Sequence, residues 1–259
     1  MDSIYFSYDG TRSEELGVYL VKLSGGMYAT PFLANREIVS EKVFGKDDPF
    51  IYGINQSPLQ VKLTLASMTK NYWTFEKRRE IARWLSCNKF AEFYVTDAGF
   101  LERRFFLMYE GGVDLTTNGI QEGYIEISFR NISPYTYSPV EQQIYDFSTI
   151  GTTSSSFTFN NLGDNDLYPQ NMLIKKIGNG DISIKNMSDG GREFKFTSIL
   201  DGEILTIDNE YRTIDTSLNG TYRYSNFNGN YLKFKYGYNY MQITGACQIE
   251  MSYRFAFTG

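Results

Sequence analysis

Apolar and polar positions alternate with a period of two along most of this chain. The cleanest stretches are Ile125, Ile127 and Phe129 set against Glu126, Ser128 and Arg130, and Cys247, Ile249, Met251, Tyr253 and Phe255 set against Gln248, Glu250, Ser252 and Arg254. That period belongs to strands with one buried face. Val61, Leu63 and Leu65 repeat it against Lys62 and Thr64. Ile4, Phe6 and Tyr8 do so up to an Asp9-Gly10 turn, which predicts an edge strand. Residues 16–23 are apolar on both sides of the alternation and predict a strand covered on both faces.

The period changes once. Between Asn71 and Cys87, the positions Trp73, Lys77, Ile81, Trp84 and Leu85 fall at helical spacing, with Glu76, Arg79, Glu80 and Arg83 on the other side. Asn71 can cap this helix through its side-chain oxygen. Glu76–Arg79 and Glu80–Arg83 are i,i+3 pairs worth a few tenths of a kcal/mol each. Both tryptophans fall on the helix and read as its anchors on a sheet, each burying roughly 200 Å².

Residues 36–44 and 50–54 read as two strands joined through Gly45-Lys46-Asp47-Asp48-Pro49. The charges alternate (Arg36, Glu37, Glu41, Lys42) and no core face is evident. Two readings stay open: an arm lying on something else, or an ordinary surface hairpin. Further on, Pro134 and Pro139 lack the N–H a strand ladder needs and stiffen the residues before them, so the strand at 125–130 ends in a rigid connector. The chain is expected to divide there into domains 1–138 and 139–259. Beyond the connector only short strands appear, around Phe157, Ile182, Phe194, Ile204, Leu232 and Cys247, with turn residues every ten positions or so. This is a β-sandwich pattern without a helix.

Composition narrows the chemistry. The chain has 259 residues, 21 Tyr and 20 Phe, which favours strands. Its net charge is −5, with 15 basic against 17 acidic residues up to position 140 and 10 against 13 after it, so neither half carries a basic footprint for nucleic acid. No 18-residue apolar stretch exists to insert in a membrane, and no basic-then-apolar leader opens the sequence, so synthesis in the cytoplasm is expected. Cys87 and Cys247 are expected as free buried thiols. Histidine is absent, which removes Ser-His-Asp and Cys-His nucleophiles and His-ligated zinc. Gly163-Asp164-Asn165-Asp166 fails the spacing of a calcium loop and reads as a turn. Asp47-Asp48 reads as a solvated pair. The dense tyrosines of the last third, Tyr236, Tyr238 and Tyr240 among them, could form a sugar platform or serve as cross-strand and interface residues. No cofactor is expected.

The order of several segments resembles the distal tail protein (Dit) family of long-tailed bacteriophages. These are Phe6-Ser7-Tyr8-Asp9-Gly10 with Leu16-Gly17-Val18; Arg79, Ile81, Trp84-Leu85 and Phe93-Tyr94-Val95-Thr96-Asp97; Ser133-Pro134-Tyr135-Thr136-Tyr137; Asn161-Leu162-Gly163 with Tyr168-Pro169; Ile182-Ser183-Ile184-Lys185-Asn186; residues 202–208; and Tyr236-Gly237-Tyr238-Asn239. The resemblance implies a mainly β protein: an N-terminal β-sandwich-like domain with one α-helix and a hairpin arm, then a C-terminal galectin-like β-sandwich. It implies a structural, non-enzymatic role in the virion at the distal end of the tail. A homo-hexameric ring would join the tail tube protein to the hub and to receptor-binding or fibre proteins. The arm would then be an inter-subunit belt, with Arg36, Phe44, Phe50 and Tyr52 as candidate contacts. The competing expectations are a carbohydrate-binding module centred on Tyr236, Tyr238 and Tyr240, and a histidine-free glycosidase. Residues 141–259 contain neither histidine nor tryptophan, which speaks against a sugar site there.

Overall fold

The structure, a computed structural model, describes residues 4–21, 33–67, 73–95, 103–151 and 153–258. The chain divides into two compact units, one ending at Tyr137 and the other spanning Ser138–Phe257. Each has its own apolar core.

The first unit contains β1 (Phe6–Tyr8), β2 (Thr11–Arg12), β3 (Val18–Leu20), β4 (Arg36–Glu41), β5 (Phe50–Gln56), β6 (Gln60–Ser67), α1 (Phe75–Leu85), β7 (Ala91–Val95), β8 (Phe105–Tyr109), β9 (Leu115–Thr117), β10 (Gly123–Asn131) and β11 (Thr136–Tyr137). Eight strands form one sheet in the order β2-β1-β7-β8-β10-β6-β3, with β9 also on β10. The alternation seen in the sequence is the packing: Ile125, Ile127 and Phe129 of β10 are buried beside Leu65, Leu63 and Val61 of β6, their register partners. Gly123 lets β9 approach, because a Cβ there would collide with the Thr116 carbonyl oxygen.

α1 lies on this sheet. Ile81 and Leu85 are buried, and the two tryptophans pin the helix at its ends. Trp84 stacks on Phe6 and donates Nε1–H to the Tyr8 carbonyl at 2.9 Å. Trp73 precedes the helix instead of lying on it, and donates to the Gly123 carbonyl at 2.8 Å. The N-cap is Thr74, whose hydroxyl accepts from the Lys77 N–H; Asn71 lies outside the described residues. The helix carries the salt bridge Lys77–Glu80 at 3.1 Å, a pairing different from the two expected.

Two strand expectations also change. β1 is interior, because β2 folds back at Asp9-Gly10 and takes the outer place; even Ser7 is buried. β3 is the one at an edge, with Tyr19 and Leu20 only half-buried. Cys87 is half-buried as well and shares a 2.8 Å hydrogen bond with the Tyr8 hydroxyl.

Where β10 ends, the buried Asn131 organises the connector. Its Nδ2 donates to the carbonyls of Ser133 and Tyr135 at 2.9 and 2.7 Å, while its Oδ1 accepts from the Phe106 N–H. Tyr137 then exchanges backbone hydrogen bonds with Arg104.

The second unit is a sandwich. One sheet orders β12 (Glu141–Asp146), β20 (Cys247–Tyr253), β14 (Asn171–Lys176), β17 (Ile204–Asp208) and β18 (Thr213–Thr216); the other orders β13 (Ser154–Asn161), β19 (Gly237–Thr244), β15 (Gly180–Asn186) and β16 (Arg192–Ile199). Their inward residues, such as Ile174, Leu205 and Ile249 from one and Ile184, Phe196 and Ile243 from the other, form one core. Cys247 lies in it as a free thiol, its pKa pushed by burial up to about 12. The outer edge of β16 is covered by residues 226–228: Asn228 accepts from and donates to the backbone of Lys195 and Glu193, and Asn226 donates to the Thr197 carbonyl.

A buried ion pair closes the long loop over this sandwich. Glu203 is fully buried and takes a two-pronged contact from Arg223, at 2.8 and 2.7 Å, with further donors from Thr216 and the Leu200 N–H. Burial alone would raise the Glu203 pKa. The guanidinium and the two donors outweigh it and hold the carboxyl below its ordinary range. Its stabilising contribution is therefore complete above that ordinary range, around pH 4.3, and is lost as pH falls through the lower folded value. Arg223→Met should cost about 3–5 kcal/mol by stranding the carboxylate. Glu203→Gln should flatten the acid limb of a Tm-against-pH curve; an unchanged acid limb would contradict the assignment.

Candidate assembly surfaces

The hairpin of β4 and β5 forms a two-stranded sheet apart from the eight-stranded one. Its register runs from Arg36 opposite Gln56 to Glu41 opposite Phe50, with an irregularity between Val39 and Ser40. The sequence explains the hairpin locally: β-branched and aromatic residues fill both strands, and Gly45, at φ +83°, turns the tip. It does not explain how the hairpin stays in water. Eight large apolar side chains are exposed on it: Ile38, Val39, Val43, Phe44, Phe50, Ile51, Tyr52 and Ile54, with Phe44 fully open at the tip. An isolated two-stranded hairpin is marginal by itself, and a contiguous apolar surface of this kind marks an interaction site.

Of the candidate contacts, Phe44, Phe50 and Tyr52 lie toward the tip, whereas Arg36 lies at the base of β4, on the order of 20 Å away along the strand. Local contacts hold two of them. Lys46 sets its ammonium 3.8 Å from the centre of the Phe50 ring, and the Tyr52 hydroxyl donates to Glu41 at 2.9 Å. Beside its alternating charges the arm has apolar residues on both faces: Ile38 beside Val39, and Ile51 between Phe50 and Tyr52.

In the second unit Tyr238 and Tyr240 project from the outer face of β19, opposite Asn160 and Thr158 of β13, and Tyr236 is exposed just before the strand. The turn at 163–166 spends its acid on lysines: Asp166 meets Lys233 at 3.0 Å and Lys235 at 3.2 Å, and Asp189 closes the group. Burial opposes ionisation of Asp166, but the two ammonium groups prevail and lower its pKa. Among the described residues no group of His, Cys, Asp and Glu could hold a metal ion, and no helix is long and apolar enough to cross a membrane.

Two family models cover the chain. A phage tail protein N-terminal domain matches residues 1–133, and a phage tail C-terminal domain matches residues 135–253. The chain belongs to this family of phage tail proteins. It is 26% identical over 256 residues to the SPbeta prophage-derived uncharacterized protein YomH of Bacillus subtilis (strain 168), covering 99% of this chain and 98% of the relative. Its fold is that of the SPP1 Dit (gp 19.1) protein, with a TM-score of 0.69 at 15% identity over 97% of this chain and 98% of the other. A chain of the activated phage P2 baseplate with Sr is also similar, with a TM-score of 0.52 at 10% identity over 96% and 97% of the two chains. The resemblance to distal tail proteins seen in the sequence thus reappears in the fold, and the protein is a phage tail protein.

A two-stranded arm without cover opens locally at small cost, so its amides gain little protection from their own pairing. Hydrogen exchange should show residues 38–54 exchanging fast at low concentration while β6 and β10 stay protected. Strong protection of the arm in a dilute monomer would contradict its exposed placement.

Proposed function

We propose that this chain forms a homo-hexameric ring at the distal end of the tail, joining the tail tube protein to the hub and to receptor-binding or fibre proteins. The observation that carries this is the arm. Its apolar surface has no cover among the described residues, and a second copy is always available to supply one. A contact of arm to neighbour uses different patches on the two copies, so it is heterologous and closes into a ring when the rotation allows. The first unit then builds the ring, with Arg36, Phe44, Phe50 and Tyr52 among the contacts, and the second faces outward to other tail proteins. The fold neighbours support this position: one is described as a paradigm of hub adsorption apparatus, the other as part of a baseplate.

Mass in solution tests the ring. The wild type should weigh six times 29.8 kDa, and Phe44→Asp or deletion of residues 45–49 should shift it toward monomers with an unchanged circular dichroism spectrum. A wild type that stays monomeric at every concentration would sink the proposal. Unfolding on the deletion would count against the arm assignment.

The exposed pair Tyr238 and Tyr240 favours a second reading, in which the outer face of the second unit stacks against sugar rings. Glycan arrays should then show binding that Tyr238→Ala and Tyr240→Ala remove. No binding by the wild type would dismiss it.

A further inference from the structure

An arm that needs cover implies an acceptor, and the first unit contains a surface suited to it. A groove of about 590 Å³ runs between α1 and the sheet, walled by Ile81, Ala82 and Leu85 of the helix on one side and by Tyr109, Val113 and Leu115 on the other. Its floor is the apolar face of β10, Ile125 and Ile127. Tyr109 and Val113, more than a third exposed, are apolar surface left open at its mouth. Arg78 stands at the rim on the exposed side of α1, its Nε held by the Trp73 carbonyl at 2.8 Å.

We propose that this groove receives the arm tip of a neighbouring copy, with Phe44 entering between α1 and Val113. This inference rests on the ring reading and names the other half of its contact. Three observations favour a second copy over other occupants. The groove is apolar and so is the arm. The tip carries the adjacent carboxylates Asp47 and Asp48, which a rim arginine can meet, while Lys42 and Lys46 keep the tip near neutral overall. The arm's eight exposed side chains present on the order of several hundred Å², comparable with the roughly 800 Å² per partner that a stable interface buries.

The test uses the full chain. Ala82 is exposed on the helix, so Ala82→Glu leaves the core intact while placing a carboxylate in the groove, where it opposes the apolar Phe44 and repels Asp47 and Asp48. Ala82→Glu and Phe44→Asp should each raise the concentration at which the assembly dissociates by at least tenfold. In a mixture of Phe44→Cys and Ala82→Cys chains, a short bis-maleimide should yield covalent dimers that neither variant gives alone, a control that also covers native Cys87. An assembled wild type whose mass is untouched by Ala82→Glu would overturn the inference and leave the ring standing, assigning the groove to a different protein. Cross-linking confined within single chains carrying both cysteines would also overturn it, by showing that the arm folds back on itself. A wild type that never assembles would overturn ring and groove together.

Discussion

Water does not tolerate a bare apolar hairpin, and that constraint governs how the other parts of this chain are read. Elsewhere the protein hides what it must. Tryptophans anchor α1 with their N–H groups satisfied, an Asn-rich segment covers the edge of β16, and a buried carboxylate is met by a guanidinium. Against that care, eight exposed apolar side chains on one two-stranded arm are not an oversight of packing. On the proposed reading they are half of an interface. Family membership places the protein in a phage tail, where such interfaces join copies and neighbours.

The two units carry their apolar residues differently. The second packs one core between two sheets while leaving other apolar side chains exposed, Ile144, Tyr222, Tyr236, Tyr238 and Tyr240 among them, and its charges settle into local pairs: Glu203 with Arg223, and Asp166 and Asp189 with Lys233 and Lys235. The first also has a full core beneath α1, but it keeps an arm and a groove whose apolar surfaces have no partner among the described residues. The physical asymmetry suits a division between assembling and displaying.

Much of the fold was legible because strand alternation is a direct imprint of a half-buried sheet. Ile125, Ile127 and Phe129 and the run from Cys247 to Tyr253 declared their inward faces, and the one helix declared its period. What was not legible depended on partners remote in sequence. Nothing local says that β2 takes the edge and leaves β1 inside, or that β3 closes the other end. Helix ends are set by caps: Thr74 adjoins the helix and Asn71 does not, and so Trp73 falls outside it. The arm was recognisable as a hairpin, and its residues Phe44, Phe50 and Tyr52 as notable. Its decisive property, apolar surface on both faces, became plain only once the structure left both faces empty. The groove was invisible in the sequence, since its walls come from segments more than 20 positions apart that read simply as core.

The central claim is that the arm's surface is covered by assembly. Electron microscopy of the purified chain, imaged at concentrations where assembly is expected, tests it most directly. The account predicts closed rings of six with density for each arm lying on the adjacent subunit. Particles that are uniformly single, or rings whose arms project free into solvent, would contradict it.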